Sequence, residues 1–107
     1  MMNKKIVDGK VAVLFAPGFG AGWSTWNTEH EAMLFDPFIV AMVEKRSQDN
    51  VFEELVEYCM DTYPGGYFGA VRDLEVAWIP EGKKFYIREY DGNEVIVLEE
   101  EFRWNVA

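Results

Sequence analysis

Histidine and cysteine are almost missing from this chain: one of each, His30 and Cys59, in 107 residues. A single cysteine excludes an intrachain disulfide and fits a reducing compartment. A single histidine with no partner at helical spacing is a poor transition-metal signal, even with Glu29, Glu31 and Asp36 close in sequence. No metal or other cofactor is expected. Basic residues are scarce, ten Lys and Arg against nineteen Asp and Glu, for a net charge of −9. That balance argues against direct nucleic-acid binding, which needs a basic face to displace counterions. No apolar run approaches the roughly 20 residues of a membrane span. The run after Lys4-Lys5 breaks at Pro17-Gly18 without a convincing cleavage site, so no signal peptide is read and a cytoplasmic protein is expected.

Aromatic and apolar residues, by contrast, are plentiful at 16% and 50% of the chain. That is enough to fill the core of one domain over residues 1–107. The run "VAVLFA" at 11–16, bounded by Gly9 and Pro17, reads as a strand buried on both faces. Asp8-Gly9 can turn a hairpin, although the arm before it is very short. Thr28 and Glu31 match a capping box opening a short helical turn through Leu34. Asp36-Pro37 then starts a helix to about Arg46, with Phe38, Ile39, Met42 and Val43 as its apolar face. A second helix, capped by Asn50, carries Phe52, Leu55, Val56, Cys59 and Tyr63 at helical spacing and stops at Pro64-Gly65-Gly66.

The last third changes period. Leu74, Val76 and Trp78 mark one strand, "KFYIREY" a second and "NEVIVLE" a third. Two registers are open for the hairpin at Asp91-Gly92. A two-residue loop sets Glu89 opposite Glu94, which is repulsive. A three-residue loop sets Arg88 opposite Glu94 and pairs Ile87 with Val95, and is preferred. The expectation is an α+β fold: a mainly antiparallel sheet of about four strands, the N-terminal strand plus a C-terminal meander, covered by two helices.

The stretch "APGFGAGWSTWN" is the first functional candidate. Gly18, Gly20 and Gly22 alternate as G-x-G-x-G, which is neither a dinucleotide fingerprint nor a Walker loop. Backbone N–H groups in such a loop can nest an anion. Trp23 and Trp26 can stack on a base, and Ser24, Thr25 and Asn27 can hydrogen-bond a ribose or phosphate. Equally, the tryptophans can anchor the loop to the core. Arg72, Arg88 and Arg103 can supply charge to a phosphate if they converge, or pair with acidic neighbours across strands. The loop Tyr63 to Gly69, also aromatic and glycine-rich, can wall the same pocket or pack on a second copy of the chain.

Ser24 with His30 is a poor nucleophile pair: "GWSTW" lacks the closing glycine of the hydrolase elbow, and the chain is too short for that fold. No catalytic residue is assigned, and a non-enzyme is expected. Glu53, Glu54, Glu57 and Asp61 with the 99–101 run form acidic surface that can imitate nucleic-acid phosphates or simply be solvated.

The segments "GFGAGWSTWN" and "IPEGKKFYIREYDGNEVIVLEEEFRW", with the Asp-Pro helix start, resemble a group of small phage and prophage proteins. These have an N-terminal strand, a short helical middle and a closing hairpin with a Glu-Tyr-Asp-Gly turn. The resemblance spans nearly the whole chain, and the hairpin is its more distinctive part. It implies an accessory protein acting in an infected or lysogenic bacterial host, in a group whose members often counter bacterial immunity, and it carries over no catalytic residue. Two functions are then expected: an oligomeric sponge that sequesters a nucleotide-like small molecule, or an acidic inhibitor docked on a host nuclease or defence effector.

Overall fold

The sequence turns and caps define where each element begins. In the computed structural model, which describes residues 3–45 and 51–99, two strands open the chain: β1 (Ile6–Val7) and β2 (Lys10–Phe15). They are joined at Asp8-Gly9, both with positive φ. Short 3₁₀ turns at Ser24–Trp26 and Glu31–Leu34 lead into α1 (Pro37–Glu44) and α2 (Val51–Thr62). A third turn at Val71–Asp73 precedes β3 (Glu75–Pro80), β4 (Phe85–Tyr90) and β5 (Asn93–Leu98).

The fold is α+β, as expected, but the strands do not form one four-stranded sheet. β2 is the centre of a three-stranded antiparallel sheet ordered β1-β2-β3, and β4-β5 is a separate hairpin. β3 pairs along all of β2, Lys10 with Pro80 through to Phe15 with Glu75. The reason lies in β2 itself, which is apolar on both faces and needs cover on both. Ala12, Leu14 and Ala16 pack with Ile39, Val40, Val43, Leu55, Cys59 and Tyr63 in the helical layer. Val11 and Val13 pack with Ile79 and Phe35, and against these lie Phe85, Ile87, Ile96 and Leu98 of the hairpin. The result is three layers, helices, sheet and hairpin, rather than helices on a single sheet.

Three local expectations are corrected. The box at Thr28 does not form, because Asn27 pins that segment and accepts His30 N–H through its carbonyl; the 3₁₀ turn starts at Glu31 with no side-chain cap. α1 begins on Asp36 and Pro37 as expected but ends at Glu44, and Val40 rather than Phe38 is buried on its inner face. Phe38 instead stacks on Tyr58 of α2, centroids 4.2 Å apart. The hairpin uses the two-residue loop: Glu89 pairs with Glu94, Ile87 with Ile96 and Arg88 with Val95. Asp91 (φ 50°) and Gly92 (φ 83°) make the tight turn. The capping position Asn50 lies outside the described residues.

Candidate functional site

Backbone N–H groups of the Gly-Trp segment do converge on an anion, but the anion is the chain's own Glu94 carboxylate and the donors are Ala16, Trp23 and Thr25; Gly18 and Gly20 donate to carbonyls instead. Glu94, at the start of β5, is fully buried. Its Oε1 accepts the Ala16 N–H at 2.9 Å, and its Oε2 accepts Trp23 N–H at 2.8 Å, Thr25 N–H at 3.2 Å and the Thr25 hydroxyl. Four donors on one carboxylate satisfy a charge that no lysine or arginine in these bonds neutralises. This explains why the register that looked repulsive is adopted. Glu94 turns its charge into the loop, while Glu89 accepts the Gly92 N–H of its own turn at 2.8 Å.

Around that carboxylate the Gly-Trp loop and the Glu-Tyr-Asp-Gly turn form a single joint. Glu94 N–H donates to Ala16 O at 2.8 Å, and Gly20 N–H donates to Asp91 O at 3.0 Å. Gly18 N–H turns back to Ala16 O at 3.0 Å. Gly92 lies against the loop so closely that a Cβ there would fall on Ala21 N and within 2.7 Å of Gly20 C. A Gly92→Ala variant therefore meets backbone as well as a left-handed φ, and should lose about 2–3 kcal/mol of stability. Gly9→Ala, at φ 77° with nothing nearby, should lose about 1 kcal/mol. Urea unfolding of both variants separates the two contributions, and equal losses would refute the clash.

The two tryptophans have opposite fates. Trp23 is fully buried, its indole N–H donates to Met33 O at 2.8 Å, and its ring lies 6.3 Å from that of Phe68. It is a core anchor and offers no face for stacking. Trp26 is 41% exposed and lies beside Tyr67, itself 51% exposed, with centroids 5.3 Å apart. Asn27 is buried and ties the two loops: its Oδ1 accepts Tyr67 N–H at 2.7 Å, and its Nδ2 donates to Tyr67 O and Trp23 O. The Tyr63–Gly69 loop thus packs on the Gly-Trp loop. Ser24 lines a cleft of 340 Å³ with Asn27, Thr28, His30, Glu31, Leu34 and Phe35.

Neither Arg72 nor Arg88 is joined to this loop. Arg72 lies over the Phe52 ring, 4.7 Å from its centroid, and Arg88 projects from the outer face of the hairpin opposite Val95. Arg103 lies outside the described residues. Among the described residues, no group of His, Cys, Asp and Glu is placed to hold a metal ion, and no helix is long and apolar enough to cross a membrane.

A larger groove, 440 Å³, opens along the outer side of α2. Phe52, Val56, Met60 and Val71 give it apolar walls; Glu53, Glu57 and Asp61 border it, with Arg72 at one side. Met60 is 62% exposed. The sequence places the acidic residues on one helix and Val56 on its apolar face, and Val56 does pack against the core while also lining the groove. That Val56 and Met60 line one groove beside the carboxylates is visible only once α2 is docked through Leu55 and Cys59.

The fold is that of a small acidic α+β domain with an internally closed glycine loop and an open groove along α2. No family model matches the chain, and neither a curated protein nor a solved structure shows significant similarity to it.

Proposed function

We propose that this protein acts by docking on a basic partner protein through the outer face of α2, as an inhibitor rather than a catalyst. The observation that carries this is the α2 groove: an apolar floor with an exposed methionine, bordered by three carboxylates. Flexible, polarisable methionine suits an adaptable protein contact. A rim with three carboxylates to one arginine steers a basic partner and disfavours acidic ones. A basic, amphipathic segment of the kind found on nucleic-acid enzymes has the matching chemistry. Together with the phage resemblance, this favours an effector inhibitor. The nucleotide-sponge reading draws less support, since Glu94 takes the converging N–H groups, Trp23 is buried and neither described arginine joins the loop.

The probe is a fluorescent synthetic amphipathic helix of leucine and lysine, followed by anisotropy at low and high salt. Met60→Asp and the double variant Glu53→Lys/Glu57→Lys should each weaken binding by about tenfold, the scale of losing a buried anchor or its charged border. Glu31→Lys/Glu81→Lys makes the same charge change away from the groove and should leave affinity within about twofold. Equal losses from both double variants would reduce the effect to net charge and remove the groove from the account.

A further inference from the structure

Trp26 and Tyr67 raise a separate question, because the chain holds two large rings rigidly and leaves both half in water. Each ring lies directly on a glycine. A Cβ at Gly22 would come within 2.6 Å of Trp26 Cδ1, and one at Gly69 within 2.8 Å of Tyr67 Cε1. Asn27 fixes the backbone beneath both, with every polar atom of its buried amide engaged. The loop is already anchored to the core by Trp23, so burial does not explain why Trp26 is positioned. Rigid, exposed aromatic rings bear the mark of recognition, since they contribute contact area with little entropy left to lose.

Beside Trp26 runs a polar cleft of 170 Å³, lined by Asn27, Thr28, Glu29, His30, Gly65 and Gly66. His30 is held there by an edge contact with Tyr63 at 5.5 Å and by Pro64 O, 3.2 Å from its Nε2. Glu29 is the one carboxylate among the lining residues, and no lysine or arginine lines the cleft. An anion finds Glu29 there and neither a lysine nor an arginine. A cation there has an indole and a carboxylate among the lining groups, and both attract it.

The geometry points to a binding site for a small organic cation, a quaternary or methylated ammonium group, seated on Trp26 beside Glu29. The cleft is too small for a nucleotide and suits a compact head group. The chemistry is shared by a free amine such as choline and by a methylated lysine on a protein, and the test separates these sources.

Choline and its neutral isostere 3,3-dimethylbutan-1-ol are titrated against the full chain, reading the Trp26 indole N–H by NMR. Choline should shift that resonance saturably, and the neutral isostere should bind about tenfold more weakly or not at all. Trp26→Ala should abolish the choline-dependent shifts of the Gly65 and Gly66 amides, with its melting curve close to wild type. Glu29→Gln should weaken binding severalfold and leave folding intact. N-acetyl-trimethyllysine amide binding more tightly than choline assigns the site to a modified protein; the reverse assigns it to a free amine. Equal binding of choline and its neutral isostere, or choline shifts unchanged in Trp26→Ala, would overturn the proposal.

Discussion

Replacing Glu94 by alanine should destabilise the protein by about 3–5 kcal/mol, the scale of leaving buried partners of a charged group unpaired. Three backbone N–H groups, of Ala16, Trp23 and Thr25, would lose their acceptor at once, together with the Thr25 hydroxyl. Against a total stability of about 5–15 kcal/mol for a domain, that loss leaves little. Glu94→Gln keeps the shape and one acceptor oxygen but turns an NH₂ group toward donors, and should cost about 2 kcal/mol. Urea unfolding followed by tryptophan fluorescence measures both, since Trp23 sits at the joint. An alanine variant within about 1 kcal/mol of wild type would show that water, not the carboxylate, can serve the loop.

The second large effect is expected at Asp36. This buried carboxylate caps α1, accepting Phe38 N–H at 2.8 Å and Ile39 N–H at 3.2 Å through Oδ1. Its Oδ2 accepts the hydroxyls of Tyr58 of α2, at 2.8 Å, and of Tyr63 just past the end of that helix. One side chain thus both starts a helix and clamps the next helix to it. Asp36→Ala should cost about 3–4 kcal/mol, combining a lost cap with two lost charge-assisted bonds. Asp36→Asn keeps the cap and disrupts the tyrosine pair, and should cost about half as much.

The same cluster sets an alkaline limit. Burial, then the bond to Asp36, push the Tyr58 phenol from 10.0 up to about 12. The same causes, in the same order, raise Tyr63. Burial and then Asp36 also raise the Cys59 thiol to about 12. A pKa higher in the folded than in the unfolded chain means that the folded state holds its proton longer. The tyrosine contribution is therefore complete below pH 10 and is lost as pH climbs toward about 12. Asp36→Asn should soften that decline without abolishing it, because burial remains the first cause. A decline as steep in the variant as in wild type would remove the carboxylate from this explanation.

How far the residues alone reveal this molecule varies with the reach of the interaction. Asp36-Pro37 declared a helix start because a cap is a local event, and the spacing of Leu55, Cys59 and Tyr63 declared a buried face for the same reason. "VAVLFA" already required cover on both faces, which a single helical layer cannot give; the hairpin's place as the third layer follows from that requirement. The hairpin register was misread because the cross-strand charge rule assumes exposed side chains, and Glu94 is buried in a loop 69 to 78 residues away in sequence. Nor does any local signal distinguish Trp23 from Trp26. They sit three residues apart in the same turn, and only the contacts of Met33, Phe68 and Tyr67 decide which enters the core. The glycines were legible as a loop, but their use as seats for rings depends on partners elsewhere in the chain. The contact between the two aromatic loops was one of two readings open from composition, the other being packing on a second copy of the chain; the bonds of Asn27 to Tyr67 make the first.

The most direct test of the functional account is an amide chemical-shift map of the whole protein, titrated separately with the leucine–lysine helix and with an adenine nucleotide. The account predicts that the helix moves resonances along Phe52–Asp61 and at Val71 and Arg72, while the nucleotide leaves Gly18–Thr25 unmoved. Saturable nucleotide shifts at Gly20, Gly22 and Thr25, with α2 silent toward the basic helix, would contradict it and return the Gly-Trp loop to the role of ligand site.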